Sequence, residues 1–212
     1  MEKTQIESLP VINASHLKSA DAAKLPLLLQ HMLDMADRMF GRRDESFSVT
    51  GIAFWERRPK IHFPKGYEGK EIEIKLQIVT SDAEEKCMRR ARYQLAHETI
   101  HLLCPVLVSK ATFLEEGVAC YFAEYYVKRE WNDIWYPGEA KYDLALCLAK
   151  TLLKEEIEYY PGRRFGIKNL RSGEGGPRKF GDITDEELID AFPHLAAKDA
   201  HRLTTLFESD ED

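Results

Sequence analysis

Tyr93 to Leu103 reads YQLAHETIHLL, and within it His97, Glu98 and His101 form H-E-x-x-H. On a helix, His101 lies one turn beyond His97 and about 40° further round. Two imidazoles so spaced point the same way and can share one metal ion. Glu98 lies about 60° beyond His101 on the same side, beside the metal position and not on it. That placement suits a general base acting on a metal-bound water.

The neighbouring residues predict a buried helix. Met88, Ala91, Leu95 and Leu102 fall on one face of the helical wheel. Tyr93, Ala96, Ile100 and Leu103 fall on another, and the sector between carries Arg90, Gln94, His97, Glu98 and His101. A helix that is apolar over most of its surface belongs in a core. Imidazoles and a carboxylate held there are costly without partners, and a metal would supply one. A chance H-E-x-x-H arises in roughly one chain in a hundred of this length, so the helical, apolar context matters as much as the motif.

Catalytic zinc usually has three protein ligands and a fourth position open to water. His97 and His101 account for two. The best source of a third is FLEEGVACYFAE, residues 113–124. Cys104 is an alternative ligand, although a buried place at the helix end explains it more simply.

Those side chains need a scaffold, and the pattern predicts an α+β fold. Pro26 suits a first helical turn, Leu25 to Phe40 follow helical spacing, and Gly41 closes the pattern. From about 46 to 78 the period changes to that of strands. EIEIKLQI, residues 71–78, alternates strictly between apolar and polar. The expectation is a small, mostly antiparallel sheet of three strands with one wet face, the short middle strand with Pro64 lying at an edge. The sheet should pack on a central zinc-binding helix over about 82–103, started by a Ser81-x-x-Glu84 capping box. The third-ligand helix should span about 113–129, and another about 139–156. Residues 1–20 read as irregular, and 21–160 as the zinc-binding domain. Residues 161–212 read as a Gly/Arg-rich loop with two short helices, the first capped by Thr184 and Glu187.

Composition narrows the function classes. With 212 residues the chain makes one large domain or one domain with a small appendix, and folding should bury about 70% of its extended-chain surface. Hydrophobic content of 44% and charged content of 31% fit an ordinary globular protein. The net charge of −6 argues against general nucleic-acid binding. Cys87, Cys104, Cys120 and Cys147 are scattered, without C-x-x-C, which suits a reducing compartment. The first twenty residues lack an apolar core for a signal peptide, and no apolar run is long enough to span a membrane. A soluble cytoplasmic protein is expected.

His97-Glu98-x-x-His101 followed by Leu114-Glu115-Glu116-Gly117-x-Ala119 resembles the gluzincin clan of zinc metallopeptidases, and most closely its small peptidase MA-like domain with an E-G-x-A element. The resemblance spans about residues 71–126 and is specific at six or seven positions. It implies one zinc ion per chain, held by His97, His101 and Glu116, with Glu98 as the general base. It also implies a peptide or protein substrate, which would lie along the edge strand. The G-x-M-E-N element of the clan's aminopeptidases is missing. The clan's oxyanion-stabilising tyrosine has no firm counterpart; Tyr142, Tyr159 and Tyr160 are downstream candidates. Metzincin and peptide deformylase patterns fit less well. A degenerate binding module, or a zinc amidase or esterase, are the alternatives.

Glu115 and Glu116 are adjacent, and 100° of helix rotation separates them. Thr112-x-x-Glu115 has the form of a capping box, which would turn Glu115 back to the helix start and leave Glu116 for the metal. Gly117 would then let the neighbouring helix approach, bringing Glu116 to the ion.

Overall fold

Ile72, Ile74 and Leu76 are buried while Glu71, Glu73, Lys75 and Gln77 are not, and this alternation makes a strand inside the sheet. The computed structural model describes residues 6–15, 17–135, 138–158 and 166–207. Its sheet has four strands: β1 (Val11–Ile12), β2 (Ser48–Trp55), β3 (Lys60–His62) and β4 (Glu71–Gln77), in the order β1-β2-β4-β3. β1–β2 and β2–β4 are parallel, and only β3–β4 is antiparallel.

Two expectations are corrected here. The sheet is not mostly antiparallel. Only four residues separate β2 from β3, which suggests a hairpin, but β4 inserts between them and runs parallel to β2. Nor is the described part of residues 1–20 loose. Val11 and Ile12 extend the sheet, and Ile6 and Leu17 are buried. The short strand β3 does lie at an edge, as Pro64 suggests.

Six helices matter to the site and its support: α1 (Leu25–Phe40), α2 (Glu84–His101), α3 (Phe113–Trp131), α4 (Ala140–Glu158), α5 (Asp185–Ala191) and α6 (Ala197–Thr204). α2 packs against α1, α3 and the β4 strand, and α3 packs in turn against α4. The H-E-x-x-H helix is as buried as its wheel predicts: from Tyr93 to His101 every residue is buried. Its predicted start is corrected. Ala83 is the N-cap and offers no side-chain bond, while Glu84 accepts the Lys18 backbone N–H at 2.5 Å. The Thr184–Glu187 box, by contrast, is complete and opens α5. Among the described residues no helix is long and apolar enough to cross a membrane.

The segment expected as a Gly/Arg-rich loop is built around a buried cation. Arg171 donates from Nη1 to the carbonyls of Phe40 and Gly41, from Nη2 to that of Arg42, and from Nε to that of Arg178. The first three carbonyls lie at and just past the end of α1, where no further helical turn can satisfy them. Residues 166–181 therefore hold a short helix, a two-residue hairpin and a 3₁₀ turn, not an open loop. Residues 161–165 and the acidic tail lie outside the described residues. The chain beyond α6 then returns to the start of α3. Phe113 donates its N–H to Thr205, Phe207 donates to Ala111, and the Phe113 and Phe207 rings meet at 4.9 Å. This clamp fixes the first turn of α3, where Glu115 and Glu116 sit.

Gly117 is required by a close crossing, but with a different helix from the expected one. A Cβ there would stand 2.4 Å from the Ala145 carbonyl oxygen and 3.0 Å from Ala149 Cβ, both on α4. Gly117→Ala should therefore force α3 and α4 apart and destabilise the fold by about 1–3 kcal/mol, as overpacking does. Denaturant unfolding checks this, and a midpoint within error of the parent would remove the crossing constraint.

Candidate metal centre

The two helices meet through five polar side chains in an otherwise apolar interface. α2 supplies His97 and His101 one turn apart, as the motif demands. α3 supplies Glu115, Glu116 and Cys120. All five are buried. Glu116 and Cys120 are four residues apart and share the face turned to His97; Gly117, next on the helix, faces α4 instead.

The donor atoms converge. His97 Nε2 lies 3.2 Å from His101 Nε2 and 3.2 Å from Glu116 Oε2, and His101 Nε2 lies 3.6 Å from Glu116 Oε1. Donors held about 2.0–2.1 Å from a tetrahedral ion stand about 3.3–3.4 Å from one another, so these separations fit one small cation. His97, His101 and Glu116 also form the one candidate metal-holding group among the described residues. Glu116 Oε2 is buried and makes no hydrogen bond of good geometry despite its nearness to His97. The donor set of two imidazoles and one carboxylate suits zinc chemistry.

The far side of each imidazole is also held. His101 Nδ1 lies 2.7 Å from Glu115 Oε1. An ionised carboxylate only accepts, so Nδ1 carries the proton and donates, leaving the Nε2 lone pair turned to the convergence point. Here the expectation for Glu115 is corrected. Thr112 Oγ1 does accept the Glu115 N–H at 3.3 Å, but the Glu115 carboxylate does not return to the helix start. It runs inward to His101. Adjacent glutamates thus serve the same site by addressing opposite nitrogens of His101, a division that a simple wheel does not suggest. His97 Nδ1 faces Cys120 Sγ at 3.7 Å.

The electrostatics record a demand for positive charge. Burial opposes a charge on His97, but Cys120 and Glu116 outweigh it and raise its pKa well above the ordinary imidazole value. Burial likewise opposes charging His101, yet Glu116, Glu115 and Glu98 push its pKa up to about 9. Glu116 goes the other way: burial would raise its pKa, but His101 and His97 hold it below the usual carboxylate value. An ion entering here displaces protons from raised imidazoles, so its binding weakens as pH falls.

Glu98 stands beside this cluster. Burial raises its pKa, against the lowering pull of His101, His97 and the nearby backbone of Ile61 on β3. The edge strand therefore passes close to the site. His97 and Glu98 open onto a cleft of about 290 Å³, whose walls include Tyr142, Tyr93, Arg90 and Trp135. The Tyr142 ring meets His97 edge-on at 6.0 Å between centroids. Burial, with Glu116 and Glu98, raises its pKa, so its hydroxyl keeps its proton. Of the three candidate tyrosines, Tyr142 is at the cleft; Tyr159 and Tyr160 lie outside the described residues. Cys104 is not in the cluster. Arg171 Nη2 approaches its sulfur at 3.1 Å, on the far side of the end of α2.

Two supporting residues were not assigned from sequence. Cys120 carried a usable signal, its i+4 spacing from Glu116. Glu115 carried a misleading one, because Thr112 three residues earlier mimics a complete cap. Comparisons with protein-family models, with curated proteins and with solved structures find no match to this chain.

The two glutamates give a graded expectation. Glu116→Ala removes a ligand and should abolish most metal affinity. Glu115→Ala removes only the group that orients His101 and should weaken binding about 10–100-fold. Side-by-side zinc titrations against a competing chelator measure both. Parental affinity in Glu115→Ala would mean that His101 needs no carboxylate to orient it.

Proposed function

We propose that this chain is a zinc-dependent hydrolase, and that it acts as a peptidase of the gluzincin type. The observation that carries the reading is the convergence of His97, His101 and Glu116 beside a buried Glu98 at the wall of a cleft. The resemblance of H-E-x-x-H and E-E-G-x-A to that clan points the same way. One zinc ion bound by the three side chains would lower the pKa of a water ligand to about 7 and polarise a carbonyl.

The chain's own groups then have definite tasks. His97, His101 and Glu116 hold the ion. Glu98 accepts the proton of the attacking water at its carboxylate and passes it to the leaving nitrogen. Its raised pKa serves both halves of that transfer, since a general acid–base works best near the operating pH. The Tyr142 hydroxyl supplies a neutral donor for an oxyanion developing in the cleft. The edge strand β3, which passes close to the site, offers a border for an extended peptide.

A second reading has one observation in its favour. The raised pKa values of His97 and His101 would let protons neutralise the carboxylates, giving a buried ion-pair cluster without metal. The 3.2 Å approach of the two Nε2 atoms speaks against it, because doubly protonated rings would turn two N–H groups on each other.

Fluorogenic peptides test the proposal. Cleavage should stop with chelator and return with zinc. Glu98→Gln should keep zinc and fold while its rate drops about 10²–10⁴-fold. No chelator-sensitive cleavage across a broad peptide library would reject the peptidase reading, and loss of zinc in Glu98→Gln would reject the role given to Glu98.

A further inference from the structure

The two metal-facing histidines are supported unequally. His101 has a carboxylate behind it, Glu115, at 2.7 Å. His97 has a thiol group behind it, Cys120, with Sγ 3.7 Å from Nδ1. Cys120 itself is buried, at the α2–α3 interface.

We infer that Cys120 is the positioning residue of His97, its sulfur accepting the Nδ1 proton. The inference rests on the proposed zinc site, since it concerns the nitrogen of His97 that does not face the metal. The physical argument has three steps. Metal binding through Nε2 requires the proton to sit on Nδ1. That proton is buried, and a buried donor without an acceptor is costly. The acceptor that contacts it is Cys120 Sγ. A thiol can also donate, but once the Nε2 lone pair is committed to the metal the ring proton sits on Nδ1, and the sulfur is left to accept it.

The sulfur's place follows from helix geometry. Glu116 and Cys120 are one turn apart on α3 and straddle the His97 ring, Glu116 toward Nε2 and Cys120 toward Nδ1. One face of α3 thus supplies both a metal ligand and the orienting group of a second ligand. A sulfur acceptor is weaker than a carboxylate. His97 should accordingly be the less firmly fixed ligand, and His101 the anchor.

Zinc titration and the imidazole N–H signals of zinc-loaded protein test this together. In the parent, His97 and His101 should each show a slowly exchanging Nδ1–H proton. Cys120→Ala should lose the His97 signal, keep the His101 signal held by Glu115, and bind zinc about 10–100-fold more weakly. Cys120→Asp places a carboxylate oxygen further along the same direction and should recover both signal and affinity. Should Cys120→Ala fail to fold, Cys120→Asp decides alone. Parental affinity with both signals intact in Cys120→Ala would overturn the inference while leaving the metal site standing. Failure of Cys120→Asp to recover affinity in a folded protein would also overturn it. A parent protein that binds no zinc would remove the metal site and the inference with it.

Discussion

Two imidazole nitrogens, His97 Nε2 and His101 Nε2, and the Glu116 carboxylate share a buried space, the nitrogens 3.2 Å apart and each within 3.6 Å of one carboxylate oxygen. With the Nδ1 atoms protonated toward Glu115 and Cys120, none of the three has a proton to offer the others, and the cluster calls for positive charge at its centre. Protonating both Nε2 atoms would turn two N–H groups on each other, whereas the separations fit one small cation. The rest of the structure can be understood as the means of holding these atoms together in a dry interface.

That holding is done by contacts remote from the chemistry. The missing side chain at Gly117 lets α4 press on α3. The return of Thr205 and Phe207 to the first turn of α3 fixes where Glu115 and Glu116 begin. Arg171 gathers the carbonyls at the end of α1 and reaches the sulfur of Cys104, just past the end of α2. A continuous apolar core runs from Ile6 to Phe207, so these supports and the site belong to one packed body. On the other side, β3 presents an edge whose backbone at Ile61 lies close to Glu98.

The longer helices and the pairing of His97 with His101 were legible in the sequence because their signals are local, whereas Glu116 was picked out by a resemblance. H-E-x-x-H needs only helical periodicity to bring two imidazoles together, and the apolar wheel around it implied burial. The sheet was less legible. Strict alternation in EIEIKLQI reports one buried face but says nothing of which neighbour the strand takes, so the insertion of β4 between β2 and β3 was hidden. Arg171 was hidden for a related reason: glycine and arginine around it look like solvated loop, and only tertiary structure reveals carbonyls in need of a donor. Glu115 was obscured by competition between two plausible roles. Its backbone N–H takes the cap, while its carboxylate takes His101. Cys120 was hidden because a lone buried cysteine commonly acts only as a small hydrophobe.

The central claim is that a cation occupies the point where His97, His101 and Glu116 converge, and anomalous diffraction from crystals grown with zinc addresses it most directly. The account predicts a single strong anomalous peak per chain, about 2.0–2.2 Å from His97 Nε2, His101 Nε2 and a Glu116 carboxylate oxygen. It also predicts Glu115 and Glu98 near that peak but not bound to it. A peak ligated by Glu115 in place of Glu116, or no peak at all with the histidines paired to the carboxylates, would contradict it.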